Sequence, residues 1–524
     1  MRPVIIGFSI VVAQSSLPAA TWQASSPTVT AITAAINQAA NGDTVIVPAG
    51  TASWTKTLVV TKGITLKGAT TTNTSTGTVQ DRTIILDNVP RMGLNAPIVS
   101  CKVPANQGFR LTGFTFSGSL TNKSDGAVII SGTSPSIRLD HCHFDRIYTA
   151  HNLEIFGWLF GVIDHCIFDI QQLQQGNSTT AFFTHATWGN QPSGWGSWAD
   201  PPYFGSEKFI FFEDNLVTNH GKTPNSGSLD AARGGRYVAR HNRFNNAAIY
   251  FHGSDTGAGE AHLRGTRAVE IYNNTFHSSL PAQPGGQCRG GSLLWHDNTY
   301  TGTYSNGMAL KVYRLFQGAG SAQGWGNANG TNPWDYNATE PNGTHVNGHP
   351  PYLFATGTHK GLNGAKVVLV SGTPWTPNRW AGYSVTNTSA NSPYYGACSY
   401  ITSSTSNTLI LGNIGDPSGA KFNTGDTFAI YKVLIVLDQP GRGQGDLIIG
   451  KPSGSTSLTG TTWPEWPSQV SEPCYAWNNK LNGSNIMWSV SDGGRNILRE
   501  NVDFYNNTPK PGYTPYVYPH PLNH

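Results

Sequence analysis

Apolar and polar residues alternate with a period of two in a short phrase that returns along the chain: SIRLDHCHF (Ser136 to Phe144), GVIDHCIF (Gly161 to Phe168), IFFEDNLV (Ile210 to Val217), YVARHNRF (Tyr237 to Phe244), VEIYNNTF (Val269 to Phe276) and SLLWHDNTY (Ser292 to Tyr300). Aligned on the Cys or Asn two residues before the closing apolar residue, the shared column reads Cys142, Cys166, Asn215, Asn242, Asn274 and Asn298, at intervals of 24, 49, 27, 32 and 24, the 49 being close to two repeats. The phrase returns as YAWNNKL (Tyr475 to Leu481) and ILREN (Ile497 to Asn501), with Asn479 and Asn501 separated by 22. Period-two alternation marks strands. A strand, a polar turn and a second strand at this spacing predict a parallel β-solenoid, because each coil buries its apolar face only by stacking on the next.

The alternation sets an expected register. Ile137 and Leu139 point inward and Arg138 and Asp140 outward, with the same parity at Ile163/Asp164, Phe212/Glu213, Ala239/Arg240, Ile271/Tyr272, Trp295/His296, Ala476/Trp477 and Leu498/Arg499. Stacked coils about 4.8 Å apart would align the outward set as one stripe. The Asn column falls where the strand bends, where stacked amides satisfy turn backbone groups. Cys142 and Cys166 fit that column as small apolar residues.

These phrases, together with Ile32 to Ala69 (ITAAINQAANGDTVIVPAGTASWTKTLVVTKGITLKGA), resemble the pectin-lyase-like superfamily. The resemblance implies an all-β fold, a right-handed parallel β-helix with a short N-terminal capping helix over its open end; the short strand phrases KVVLVSG, WAGYSVTN, CSYITSSTSNTLILG and GDTFAIYKV, split by Gly/Asn/Ser turns, add an inserted small β domain. The resemblance covers roughly residues 32–300 and again 473–507, and by itself assigns no function.

With 12% charged residues, 60 Gly and 11% aromatics, the composition suits a turn-rich extracellular β protein. A net charge of +4 with no Lys/Arg run argues against a nucleic-acid partner. The apolar run from Val4 to Ala13, ending in small residues by Ala20, reads as a secretory signal peptide (1–20), too short to span a bilayer. The expected localisation is secreted, extracellular or at the cell surface. The six cysteines match no zinc spacing; Cys142 and Cys166, one coil apart, leave a bridge open, with buried thiols preferred.

The expected organisation is a β-helix over 21–300, an irregular Gly/Asn/Trp-rich loop over 301–350, an inserted β domain over 351–437, and a return to the β-helix with its last coils and tail over 438–524. Within the helix, Thr184 to Gly205 interrupts the rhythm with Trp188, Trp195 and Trp198, either a sugar-stacking platform or a flap over apolar surface.

The outward stripe, Asp140, Asp164, Glu213, Arg240, Tyr272 and His296, carries the candidate chemistry. Stacked carboxylates require a bound cation, a nearby Arg or a raised pKa. LDHCHF and VIDHCIF are similar to the pectate-lyase WIDHC phrase, and RHNRF with HLRGTRAVEIYNNTF (His262 to Phe276) resembles that family's arginine segment, without its Pro-Arg and with ten extra residues, Gly253 to His262. The likeness implies Asp140 and Asp164 as Ca2+ ligands and Arg264 or Arg267 as catalytic base; from the stripe, Glu213 joins them as a candidate ligand, and Arg240 and Glu213 as candidate catalytic groups. Trp188, Trp195, Trp198, Tyr272, His296 and His252 are the candidate substrate-binding residues. Asp230, Arg233, Arg236, His252, Asp255, Glu260 and His262 gather further ionisable groups on nearby loops, without transition-metal spacing. The expected function is a polysaccharide lyase acting on an acidic polysaccharide by β-elimination. The alternatives are a noncatalytic glycan-binding adhesin or tailspike-like protein, and a glycoside hydrolase using paired carboxylates.

Overall fold

A computed structural model describes residues 18–90, 96–118, 126–147, 151–171, 180–186, 197–198, 200–222, 227–253, 265–311, 314–315, 318–319, 353–365, 367–372, 374–380, 384–395, 398–411, 421–431, 439–445, 469–491 and 498–523. Most of the expected signal peptide and most of the expected irregular loop lie outside them. Among the described residues the chain is all-β apart from one short helix, with 29 strands joined into one large, overwhelmingly parallel sheet, as expected of a β-helix or solenoid. Helix α1 (Val29–Gln38) opens with Thr28, whose hydroxyl accepts from Ala31 N, and buries Val29, Ile32, Ala35 and Ile36. At its C-terminal end the Lys62 ammonium donates to the Ile36, Asn37 and Ala39 carbonyls, a favourable position for a cation.

The coils stack on three faces. The first is formed by strands such as Ile210–Glu213, Arg236–Arg240, Ala268–Tyr272 and Ser292–His296, and its register aligns Asp140, Asp164, Glu213, Arg240, Tyr272, His296 and Trp477 across successive strands. Leu139, Ile163, Phe212, Ala239, Ile271 and Trp295 line the interior beside them, so the expected parity holds there. At the last repeat Leu498 is still buried in the core and Arg499 lies outside it, but the strand itself is displaced. The final strand is Phe504–Tyr505 rather than the ILREN phrase, pairing Cys474 with Phe504 and Tyr475 with Tyr505.

Between the first and third faces the chain turns at His141, His165, Asp214, His241, Asn273, Asp297 and Asn478, with φ of 50°, 52°, 56°, 56°, 54°, 53° and 55°. His, Asp and Asn tolerate this left-handed conformation better than other side chains, which is why the phrase always carries one of them before the column. The column is a continuous ladder. The side-chain oxygens of Asn215, Asn242, Asn274, Asn298 and Asn479 accept from the backbone N–H of Cys166, Asn215, Asn242, Asn274 and Asn298 at 2.8–3.1 Å. Their amide nitrogens donate to Ile163, Phe212, Ala239, Ile271 and Trp295 carbonyls. On the third face the next inward residues stack as rings, Phe144 on Phe168 at 4.7 Å and Phe244 on Phe276 at 4.6 Å. Cys142 and Cys166 are buried free thiols.

Two spacings differ from expectation. Asp164 pairs directly with Glu213, so the 49-residue interval is a single coil enlarged by loops, not two coils. The strand Thr299–Lys311 carries the main sheet beyond residue 300, its GMALK stretch alternating like the preceding coils. His296 then meets Trp477 in register, which makes the intervening segment an insertion between adjacent coils. Within it, a six-stranded antiparallel sheet runs between Leu353 and Tyr431.

Candidate functional site

The stripe predicted on the first face is outward but not open. The C-terminal segment 505–523 runs back across it as a strap. Tyr513 donates its hydroxyl to Glu270, whose other carboxylate oxygen accepts from Gly205 N at 2.8 Å. The Tyr516 and Val517 carbonyls accept from the Arg240 guanidinium at 2.7 and 2.8 Å, and His520 N donates to Glu213 at 2.8 Å. At the strap's end Asn523 accepts from Arg138 at 2.9 Å. Tyr516 and Leu522 also pack on a small cluster of Val162, Phe209, Phe211, Val238, Ala268 and Tyr272.

Beneath the strap the carboxylates are compensated by arginine. Arg110 grips Asp140 through two bonds of 2.7 Å, Arg138 spans Asp164 at 2.9 and 2.8 Å, and Arg240 meets Glu213 at 2.7 and 2.6 Å. Burial alone would raise Asp140, but Arg110, His141 and Arg138 hold it well below the usual carboxylate range. Burial raises Glu213, which Arg240 only partly offsets. With their oxygens committed to guanidinium and backbone donors, Asp140, Asp164 and Glu213 do not fit as ligands for the expected Ca2+. Among the described residues no group of three His, Cys, Asp or Glu gathers to hold a metal.

The other expected residues fall into three sets. Arg264, Trp188 and Trp195 lie outside the described residues, as do Asp255, Glu260 and His262. Trp198 is buried, donating to the Gly265 carbonyl at 2.8 Å, and Arg267 lies 5.2 Å over its ring while pairing with Glu472 at 2.6 and 2.8 Å. Trp198 thus packs as core. The guanidinium expected as a base is fully ion-paired, because the inserted segment returns Glu472 to it. The arginine pulled well below its usual range is instead Arg236, by burial and then by Arg267, and its donors are spent on Ser197 and Pro202. Tyr272 and His296 are buried, His296 stacking between Tyr272 at 4.7 Å and Trp477 at 4.0 Å.

His252 remains half-exposed, and it belongs to a different surface. The second face is built from residues 128–132, 151–157, Thr180–His185, Leu229–Ala232, Ile249–Phe251, and the ends of Thr275–Cys288 and Thr299–Lys311. Register and alternation align Glu154, Phe183, Asp230, Tyr250 and Gln287 as one outward row, and Phe156, His185, Ala232, His252, Arg289 and Lys311 as its neighbour. His252 Nδ1 lies 3.0 Å from Asp230 Oδ1, which also accepts from Ala231 N at 2.7 Å; the imidazole is 32% exposed, the carboxylate 12%. Such a bond fixes the tautomer and leaves Nε2 as the outward basic atom. Arg289 lies 5.5 Å over the Tyr250 ring. Burial raises the Tyr250 hydroxyl pKa, opposed by Arg289, and keeps it a proton donor at neutral pH. Lys311 is lowered chiefly by burial and then by adjacent Arg289.

Asp230, Arg233 and His252 stood out in the sequence; Glu154, His185, Tyr250, Arg289 and Lys311 did not. The available signal was the second strand of each coil, NLEIF, TAFFTH, SLDAA, AIYFH, GGQCR and GMALK, whose outward positions align only once the coil lengths are known.

No family model matches the chain, and no curated protein matches it. Among solved structures, an alginate lyase from Paenibacillus sp. str. FPU-7 is similar at 13% identity and a TM-score of 0.29, over 55% of this chain and 97% of that one. Among the described residues no helix is long and apolar enough to cross a membrane.

Proposed function

We propose that the chain is a secreted, carbohydrate-active protein on a right-handed parallel β-helix closed by α1, and that its second face acts on an acidic polysaccharide by β-elimination. The observation that carries this reading is the half-exposed His252–Asp230 pair, set beside Tyr250 and one coil from Arg289. Elimination needs a base at the carbon α to a uronate carboxylate, a cation to offset the charge gathering there, and an acid for the departing glycosidic oxygen. His252 Nε2 takes the proton, Arg233 or the Arg289–Lys311 pair offsets the carboxylate, and the Tyr250 hydroxyl protonates the leaving oxygen. The C–O bond breaks as the C=C bond forms, giving an unsaturated uronide and a new hydroxyl end; proton exchange with water restores both groups.

The hydrolase alternative needs a carboxyl that stays protonated. Among the described residues, Glu154 and Asp230, two coils apart, are acids on this face. Burial would raise Glu154, but hydrogen bonds from His151 and His185 hold it at about 2, which suits an anion and not a proton donor. The binding-only alternative is favoured by the half-exposed rings of Phe156, Trp158 and Phe183, suited to stacking on sugars. A screen of acidic polysaccharides for the ultraviolet absorbance of an unsaturated uronide separates the readings. Absorbance that appears with the wild type and vanishes in His252→Gln supports elimination; retained glycan binding with no absorbance on any substrate leaves the binding protein.

A further inference from the structure

Where the inserted segment rejoins the β-helix, two buried thiols meet. Cys288 closes the strand Thr275–Cys288, and Cys474 opens Cys474–Trp477, the strand that stacks on Ser292–His296 once the insertion has returned. Their sulfurs turn to one corner, Cys288 Sγ donating to the Gly290 carbonyl at 3.6 Å and Cys474 Sγ to the Gly291 carbonyl at 3.7 Å. The two side chains hydrogen-bond to each other there, fully buried in one apolar core, and both are thiols in this structure. Other ties of the returning segment gather at the same corner. Gly441 N donates to the Gly291 carbonyl and Glu472 N to the Gly441 carbonyl, each at 2.9 Å, while the Ser292 hydroxyl donates to the Glu472 carbonyl at 2.8 Å.

We propose that Cys288 and Cys474 become a disulfide when the chain folds in an oxidising compartment, and that this bridge staples the returning end of the inserted segment to the body of the β-helix. The oxidant is a small-molecule or protein disulfide. One cysteine thiolate attacks a sulfur of the oxidant, forming a mixed disulfide and releasing one oxidant thiolate; the second cysteine thiolate then attacks the mixed disulfide and releases the other. The two thiols lose two protons and two electrons, and the oxidant disulfide takes up both to become two thiols. Burial holds the Cys288 thiol well above its usual pKa, so the exchange belongs to the stage before this corner closes, when the sulfurs still reach solvent. The two cysteines lie 186 positions apart with the inserted sheet between them, so the bridge restrains a long stretch of the unfolded chain. Cys142 and Cys166 are placed differently. Cys166 Sγ accepts from Cys142 N at 3.5 Å and donates to the Leu139 carbonyl at 3.8 Å, the place an Asn side chain takes in later coils, and a bridge there would span only 24 positions. The inference is independent of the elimination reading, because both sulfurs face the interior.

The test uses the full chain produced in two compartments, the oxidising bacterial periplasm and the reducing cytosol. Each product is denatured in N-ethylmaleimide, which caps free thiols, and its peptides are mapped by mass spectrometry without reduction. The periplasmic protein is expected to yield a peptide pair joining Cys288 to Cys474 that dithiothreitol separates, and to melt about 5 °C above the cytosolic protein. In Cys288→Ser the two products are expected to melt together. N-ethylmaleimide on both Cys288 and Cys474 of the periplasmic protein, or either of them bridged to another cysteine, overturns the proposal, and this arm needs no variant to fold. A joined pair with no difference in melting overturns the stapling role. So does a difference that Cys288→Ser preserves, since another bridge would then carry it.

Discussion

His252 and Asp230 are joined at 3.0 Å between Nδ1 and Oδ1, across the strands of two adjacent coils. The pair couples a residue that closes one strand to a residue inside the strand below it. Its geometry exists only because the coils stack in this register.

Asp230→Asn removes the carboxylate that fixes the imidazole tautomer while leaving the strand pairing in place. Turnover of an acidic glycan is expected to fall by about 10²–10⁴-fold with KM little changed, and His252→Gln by a similar factor. Steady-state kinetics at matched melting temperature is the check. A variant retaining more than about half of wild-type turnover sinks the assignment of His252 as base.

Arg240 is the centre of a buried network joining Glu213, Tyr272 and the strap. Arg240→Met leaves Glu213 buried without its cation, and is expected to cost about 3–5 kcal/mol by denaturant unfolding. Adding Glu213→Gln should recover part of that loss. An additive double variant would show that the two groups are not energetically coupled.

Asn242→Ala opens the amide ladder at its middle. It leaves the Asn215 N–H and the Phe212 carbonyl without their side-chain partner, at an expected cost of about 2–4 kcal/mol for two buried groups. Hydrogen exchange at Asn215 should speed up in parallel. Unchanged stability would mean that the ladder is incidental to the stacking.

Two groups, Glu270 beneath the strap and His520 within it, make stability depend on pH with opposite signs. Burial pushes Glu270 up to about 7, hydrogen bonds from Tyr513 and Gly205 opposing it. Its protonated form is therefore favoured by folding, and its contribution falls as pH rises from about 4.5 to about 7. Burial and then Arg240 pull His520 down to about 4, so its contribution is complete above about 6.5 and is lost as pH falls towards 4. Glu270→Gln is expected to raise stability at pH 8 by on the order of 2 kcal/mol relative to pH 5, and His520→Gln to raise it at pH 4 relative to pH 7. Melting curves across pH 4–8 would contradict this if both variants kept the wild-type slope.

Much of the first face was legible in the linear chain. Leu139 and Asp140, Ile163 and Asp164, and Ile271 and Tyr272 fall on the expected sides because strand alternation is a local property, written into neighbouring residues. The Asn column was legible for a similar reason. A left-handed His, Asp or Asn must precede each ladder residue, so the bend leaves a two-residue mark at every coil. Where coil length varied, the reading slipped, as at the 49-residue coil.

The chain's pattern thus determined the stacking unit, its inward and outward sides, and the composition of the stripe. Which outward side stays open was decided in three dimensions. Tyr513 reaches Glu270 across 243 residues and Asn523 reaches Arg138 across 385, and no periodicity records an irregular strap settling on a distant face. The same holds for Glu472, which arrives from beyond the inserted sheet to pair with Arg267. His252, Asp230, Tyr250 and Arg289 meet because successive coils superimpose their second strands. Alternation along one strand tells which way a side chain points; what lies over it depends on chain brought back from far along the sequence.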